Sequence, residues 1–577
     1  MNNEKHLRPS ADMLTALILL SGCALRLIGL DSSSLTLNEA ENALAALKLF
    51  GGGDQGQLLY TLPTALLFKM FGDSDFTARL FPAFAGMILM LLPLTLRKRF
   101  GNRKTLLLAF LFAADPVLLF WSKRADAVIP AIVLIGAAVT FFLLNKPAGA
   151  WTCLLLSLSG GERSIPVLIV SLAYVAVYCL TRRYDLRQIR QFVPMKRDLA
   201  AAGIIFVLGI TAFSVFPAGI SAFSTGIVNA FRPAPEWVRP GIAAMIIAIL
   251  VYCGIPLLLF VRNGIRSGQM AVCGLALAGS ILLTLWQGIT ALPWISMILW
   301  TGSLSLLSDL LDRLEGEKGF PFWLTAAAVA GSFSFFYFRL VEVFNQQNGN
   351  EPVQINWNGT TQILPLTRVG GASLLTAASL LIILLILKIL LGFFDSDVVR
   401  RGILAGCLVI CSWGLLTNIW NTGGFDRIGD FPAAFHTENS RILLNGNYTS
   451  LTRTPLFEII SEVTVKHGDR SKEPFGLNLI TDDPLLEWDL RKEYGLVRTE
   501  NPNTDLTDVD LILSGPGASF ESNGFVGTML TYRAKTDWTD YNIQEWGKWL
   551  LFGDGKNSAE TSLIIWAKGD MIYSGEE

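Results

Sequence analysis

Long apolar runs separated by short polar connections fill the first 420 residues of the chain. A helix that crosses a bilayer needs about 20 mostly apolar residues. The pattern predicts about thirteen such helices, near 12–30, 80–96, 105–121, 127–144, 150–160, 164–181, 199–217, 241–261, 270–288, 293–308, 320–340, 370–393 and 402–420. The fifth is short, and Gly160-Gly-Glu-Arg163 after it predicts a tight hairpin near one face. No small-residue cleavage site follows the first run, which is therefore expected to stay as a helix rather than leave as a signal peptide.

From about residue 421 charged and turn residues return. Apolar runs shorten to strand length at Phe475–Ile480, Val509–Leu513 and Ser562–Trp566, with helical periodicity at Pro455–Lys466 and Leu485–Tyr494. The expected fold is a polytopic α-helical membrane protein: a transmembrane domain over 1–420, with surface helices in a first loop at 31–79, then an α/β domain over 421–577.

Composition agrees. The chain is 52% hydrophobic and 16% charged, which excludes an ordinary soluble protein. A net charge of −1 gives no reason to expect nucleic acid as a partner. The basic residues gather in short connections, notably Arg97, Lys98, Arg99, Arg103 and Lys104, then Arg182, Arg183, Arg187, Arg190, Lys196 and Arg197. The positive-inside rule puts both groups in the cytoplasm. The N-terminus is then inside and the loop 31–79, the connections 219–240 and 342–368, and the C-terminal domain outside a multi-pass plasma-membrane protein. All seven cysteines sit in apolar runs and read as packing residues, and the three histidines are too scattered for a metal centre. The sequons at Asn358 and Asn447 are short enough to arise by chance.

Polar chemistry first appears at Asn38, Glu39, Glu41 and Asn42. Ala43, Leu44, Ala46, Leu47 and Phe50 make the segment an amphipathic helix suited to the membrane surface, ended by Gly51-Gly-Gly53. With Thr36 as N-cap, Glu39 completes a Thr-x-x-Glu capping box and Leu35 is placed for a hydrophobic staple. That capping role and a chemical role stand level for Glu39. Arg79, at the mouth of a helix, reads alone as an interfacial anchor whose stem snorkels.

Together these pieces form a constellation. An acidic segment after the first span, Leu58-Leu-Tyr60-Thr-Leu-Pro63, and Phe71-Gly-Asp-Ser-Asp-Phe-Thr-Ala-Arg79-Leu-Phe-Pro82 resemble the GT-C membrane glycosyltransferases. The nearest likeness is to the branch of protein O-mannosyltransferases and the lipid A aminoarabinose transferase, glycosyltransferase family 39 and relatives. Asp115-Pro-Val-Leu-Leu-Phe-Trp-Ser-Lys-Arg124-Ala-Asp126 is similar to that family's segment at the outer end of the third span. The motifs cover roughly the first 185 residues, and the remainder matches by layout.

The resemblance implies an inverting enzyme that moves a sugar from a polyprenyl-phosphate donor to an outer acceptor, be it protein, lipid or glycan. Such chemistry needs a carboxylate to take the acceptor proton and cations to hold the departing phosphate. Glu39 and Glu41 are the candidate bases. Asn38 stands where the family keeps a catalytic Asp, so the chain departs from the pattern there. Lys123, Arg124 and Arg163 are candidates for the phosphate, with Arg79 and Tyr60 as further substrate-side residues. No cofactor is implied beyond the lipid-linked sugar. A metal is not required, although the acids leave room for one. The expected partners are the donor, membrane lipids and an envelope acceptor.

The runner-up is a catalytically silent relative serving as a binding or assembly subunit of a membrane complex, motivated by Asn38. A transporter is disfavoured, because acids are scarce in the spans and no interrupted helices recur in matched halves. Leu158-Ser-Gly-Gly-Glu162 resembles an ABC ATPase signature, but the chain has no phosphate-binding Gly-x-x-x-x-Gly-Lys loop. Asp482-Asp-Pro-Leu-Leu-Glu-Trp488-Asp-Leu-Arg491 looks like a Trp-x-Leu-Arg segment of related enzymes, although a buried Trp beside a surface Arg is the simpler reading. Trp546 and Trp549 read as core or interface packing.

Overall fold

A computed structural model describes residues 11–569, apart from residues 33, 52–56, 183–195, 233–237, 316–318, 346–351, 358–359, 424–443, 445–447, 451–453, 469–475, 482, 492–496, 499–508, 518–523, 536–537 and 553–558. The basic connection at 183–195 and both sequon asparagines lie outside the described residues.

The chain opens with α1 (Ala11–Leu27), followed by α2 (Leu37–Lys48) and α3 (Leu58–Phe71) in the first loop. Next come α4 (Asp75–Thr95), α5 (Arg97–Phe100), α6 (Asn102–Ala114), α7 (Pro116–Ser122), α8 (Val128–Leu143), α9 (Pro147–Ser157) and α10 (Ile165–Arg182). The bundle continues through α11 (Lys196–Ile210), α12 (Gly219–Ala230), α13 (Ile242–Ser267), α14 (Met270–Gln287), α15 (Leu292–Arg313), α16 (Phe320–Asn345), α17 (Arg368–Phe393) and α18 (Ser396–Gly423). A hairpin of β1 (Pro352–Trp357) and β2 (Thr360–Thr367) joins α16 to α17.

A helix lies at each predicted span. Among the described residues, six helices are long and apolar enough to cross a membrane alone, or eight if two bent pairs each count as one span. The chain is a multi-pass membrane protein.

Both bends have local causes. At Asp115-Pro116 the chain turns by 58° between α6 and α7. Proline supplies no N–H and clashes with a continuing helix, and the residue before it is pushed to extended geometry, as Asp115 is (φ −67°, ψ 122°). The freed carbonyls of Phe112 and Ala113 accept hydrogen bonds from the buried Arg26 of α1, at 2.9 and 3.4 Å. Asp115 caps α7 through the Leu118 N–H (2.7 Å) and also accepts from Ser296 Oγ (2.6 Å) and Trp300 Nε1 (2.8 Å) of α15. The second bend, 118° between α9 and α10, passes through a short 3-10 turn at Leu158–Arg163. There Gly161 adopts φ +52°, and its Cα side abuts Gly226 of α12, where a Cβ would stand 3.2 Å from backbone.

Gly86 of α4 sits where α1 and α7 converge. A Cβ there would lie 2.3 Å from Ser122 Oγ and 2.7 Å from Arg26 Nε. Gly86→Val is therefore expected to lower stability by about 1–3 kcal/mol through overpacking, measured as a lower apparent melting temperature in detergent.

Beyond the bundle, α19 (Thr454–Gly468), α20 (Pro484–Leu490) and α21 (Ile543–Phe552) accompany a six-stranded mixed sheet. Its strands are β3 (Tyr448–Ser450), β4 (Leu477–Ile480), β5 (Val497–Arg498), β6 (Leu511–Ser514), β7 (Phe525–Lys535) and β8 (Ala559–Lys568), in the order β3-β7-β8-β6-β4-β5. β4 pairs in parallel with β5 and β6, and the remaining pairs are antiparallel. The three predicted strands correspond to β4, β6 and β8, and the two predicted helices to α19 and α20.

The sheet region docks on the first loop through α20. Trp488 is fully buried, and its Nε1 donates to Asp75 Oδ1 at 2.8 Å. Arg491 stacks on the Trp488 ring and donates to Asp73 Oδ2 at 2.6 Å, so it is an ion-paired docking residue rather than the free surface arginine expected. Lys48 pairs with Glu487.

Candidate active site

The helix ends segregate the charges. At one end Arg103 pairs with Asp312 and Arg266 with Asp309, while Arg97 reaches Asp12. At the other end the first loop, the turn after α7, the turn at Leu158–Arg163 and the end of α14 meet, and the first three carry the candidate residues.

The Thr36–Glu39 capping box forms: the Thr36 N–H and hydroxyl both donate to Glu39 Oε2, at 2.9 and 3.0 Å. The small residues Ala40, Ala43 and Ala46 let α2 approach its neighbours closely, and they are buried with Leu44 against α3 and α20. Hence most of the apolar face of α2 is covered by protein rather than by the bilayer that the amphipathic pattern suggested, while Glu41, Leu47 and Lys48 stay exposed.

Glu39 is 1% exposed and saturated with donors. Beyond Thr36, it accepts from Arg79 Nε (2.8 Å) and Nη2 (3.0 Å), Arg124 Nη1 (2.7 Å) and the Ala125 N–H (3.1 Å). Burial works to raise its pKa, but the charges of Arg79 and Arg124 and these hydrogen bonds outweigh it and hold the carboxyl well below the usual range. Arg79 also donates to the carbonyls of Leu30 (2.8 Å) and Ser34 (3.0 Å). The anchor reading of Arg79 is thus corrected: the guanidinium does not snorkel to water but lies buried on a carboxylate. Tyr60 is likewise fully buried, and its hydroxyl donates to the Ala78 carbonyl at 2.9 Å, tying α3 to α4.

A second charge centre adjoins the first. Buried Asp126 accepts from Arg163 Nε (3.1 and 3.2 Å) and Nη2 (3.1 Å), and from Asn38 Nδ2 at 3.1 Å. The dipeptide Asn38-Glu39 therefore grips the dipeptide Ala125-Asp126. Asn42 adds a bond to the Ala125 carbonyl at 2.8 Å. Gln57 accepts from the Ala127 N–H (2.9 Å) and donates to Glu162 (2.9 Å), while Gln287 donates to the Glu162 carbonyl (2.8 Å). An amide at position 38 suits this setting, because an aspartate there would face the Asp126 carboxylate at hydrogen-bond distance.

The remaining candidates are more open. Arg124 keeps 16% of its side chain exposed, over the face of Phe120. Lys123 donates to the Ile28 carbonyl at 2.6 Å; burial, then the nearby charges of Arg26 and Arg79, lower its pKa to about 7. Glu41 projects from the exposed side of α2. Its pKa is raised, first by the crowding that desolvates it and then by the charges of Glu162 and Asp483, against the pull of Arg163. Among the described residues no three His, Cys, Asp or Glu side chains gather as a metal site.

Asp126, Glu162, Gln57 and Gln287 were not singled out from sequence. The signal available for Asp126 was its chemistry: a carboxylate at the start of an apolar span in an acid-poor membrane domain asks for a buried partner.

This bundle, with its helical first loop, broken spans and terminal sheet, shares its fold with solved structures of ArnT. The chain is similar to the crystal structure of ArnT from Cupriavidus metallidurans in the apo state, at 11% identity and a TM-score of 0.52 over 98% of this chain and 99% of that one. It is similar also to the ArnT structure from the same organism bound to undecaprenyl phosphate, at 11% identity and a TM-score of 0.50 over 96% and 98%. No family model and no curated protein matches the sequence.

Proposed function

We propose that the chain is a membrane glycosyltransferase that takes a sugar from a polyprenyl-phosphate carrier and passes it, with inversion, to a hydroxyl-bearing acceptor outside the cell membrane. The observation that carries this reading is the cluster of Glu39, Arg79, Arg124, Asp126 and Arg163 at one end of an ArnT-like bundle, with Glu41 open beside it. A solved neighbour with undecaprenyl phosphate supports a carrier of that class. The basic connection Arg97–Lys104 at the opposite end favours placing the candidate site outside. In this reading residues 1–420 form the transferase bundle and 421–577 its outer domain.

Glu41 is the base and Glu39 an anchor. An anionic base must present a free lone pair to the acceptor hydroxyl, and Glu39 has none to spare. Glu41 takes the proton of the acceptor hydroxyl as the acceptor oxygen attacks the anomeric carbon, while the bond to phosphate breaks on the opposite face and the phosphate leaves with its electron pair. Arg124, the guanidinium with surface left over, meets the departing phosphate. Lys123 contributes an amine whose pKa burial lowers to about 7, and Arg163 acts through Asp126.

A second reading, a silent binding subunit, is favoured by the Asn38 amide and by the saturation of Glu39. The deciding experiment uses purified protein in liposomes with radiolabelled polyprenyl-phosphate hexoses and candidate acceptors. Turnover by the wild-type chain is expected. Donor binding without turnover, with activity gained only by Asn38→Asp, would establish the silent relative, and neither binding nor turnover would sink both.

A further inference from the structure

The C-terminal region touches the bundle at a second place, through α21. Its residues separate around the helix: Gln544, Glu545 and Lys548 on one side, and Ile543, Trp546, Gly547, Trp549 and Leu550 on the other. Trp546 stacks on Trp538, and Trp549 meets both rings edge-on, so these two side chains are buried. Gly547 faces Phe344 of α16, where a Cβ would come within 2.0 Å of the ring. Between these two contacts the centre of the apolar side is open, with Ile543 86% and Leu550 52% exposed.

The surroundings of α16 say what fills that gap. α16 is long and apolar enough to span a bilayer, and most of it faces outward, including Phe333, Phe335 and Phe338. Near its end Arg339 and Glu342 form an ion pair at 2.7 Å, marking the level at which charges reach water. Tyr337 lies on the hydrocarbon side of that pair, and its hydroxyl donates to the Leu551 carbonyl in the last turn of α21 at 3.4 Å. With Gly547 against Phe344, beyond the pair, and Leu551 against Tyr337, before it, the helix straddles that level on the lipid-facing flank of a span, and its open apolar centre continues that flank. An aromatic cluster beside it fits the headgroup boundary, where Trp and Tyr concentrate.

We infer that α21 is an interfacial membrane helix whose Ile543–Leu550 stripe is covered by phospholipid acyl chains of the adjoining leaflet. The C-terminal region is thereby held to the bilayer independently of its docking through α20, so the inference stands whether or not the chain transfers sugar.

The test places a photoreactive benzoylphenylalanine at Ile543, Leu550, Gln544 or Lys548 of the full-length chain, in phosphatidylethanolamine–phosphatidylglycerol liposomes with radiolabelled lipid. Several-fold more lipid adduct is expected from 543 and 550 than from 544 and 548. Equal yields at all four positions would overturn the inference. So would cross-links from 543 and 550 to a second copy of the chain in place of lipid. Should a variant fail to fold, the same comparison is made with cysteines carrying an environment-sensitive fluorophore, with blue-shifted emission expected only at 543 and 550.

Discussion

Replacing Glu39 by alanine is expected to cost about 3–5 kcal/mol of stability, the usual penalty for stripping one partner from a buried ion pair. The loss is large because Arg79 and Arg124 share the carboxylate, and Arg79 is buried with it. Glu39→Gln, which retains some acceptor capacity, should lose less. Adding Arg79→Met to Glu39→Ala should recover part of the deficit, since the uncompensated charge leaves with it. The measurement is apparent melting temperature by fluorescence-detected gel filtration in detergent. An alanine variant as stable as wild type would refute the anchor role. The pH dependence has a definite sign. A carboxyl whose folded pKa lies below its ordinary value near 4.5 contributes stability that is complete above that value and is lost as pH falls through the folded pKa. The stability gap between wild type and Glu39→Ala should therefore be constant at neutral pH and narrow only below about pH 4.5.

That anchor shows which parts of the site were legible in advance. The capping box is a local pattern, four residues long, and it forms as read. The positions of the apolar helices were equally accessible, because an apolar run is read without knowing its neighbours, although among the described residues only six to eight of them are long and apolar enough to span a membrane. Partners across the fold were not. Arg79 is forty residues from Glu39, and Asp126 is eighty-eight from Asn38, so their pairing depends on how α2, the start of α4 and the turn after α7 pack together. The same blindness misplaced α2: its small apolar positions specify a buried face but not whether lipid or protein covers it. In the sheet region β7 escaped notice because Gly527, Thr528 and Thr531 interrupt its apolar residues and much of it stays exposed, as at Met529, so no continuous apolar run marks it.

Glu41→Gln is expected to reduce turnover by about 10²–10⁴, the range for losing a general base, with little change in donor binding or melting temperature. Asp126→Asn would differ, because it removes the charge facing Arg163 and should lower stability along with activity. The distinguishing readout is the acid limb of kcat/KM against pH. Glu41 works deprotonated, so activity should fall as pH drops through its pKa, which crowding and then Glu162 and Asp483 raise above the ordinary glutamate value. Asp483→Asn keeps the cap that accepts the Leu485 N–H at 2.9 Å while removing one repelling charge. Glu162→Gln removes the other, and each should move the acid limb to lower pH. Substituting Arg163 removes an opposing attraction and should move it higher. A limb unmoved by all three changes, or full turnover in Glu41→Gln, would dismiss Glu41 and leave Asp126 as the carboxylate to test, since Asn38 already holds it at the centre of the cluster.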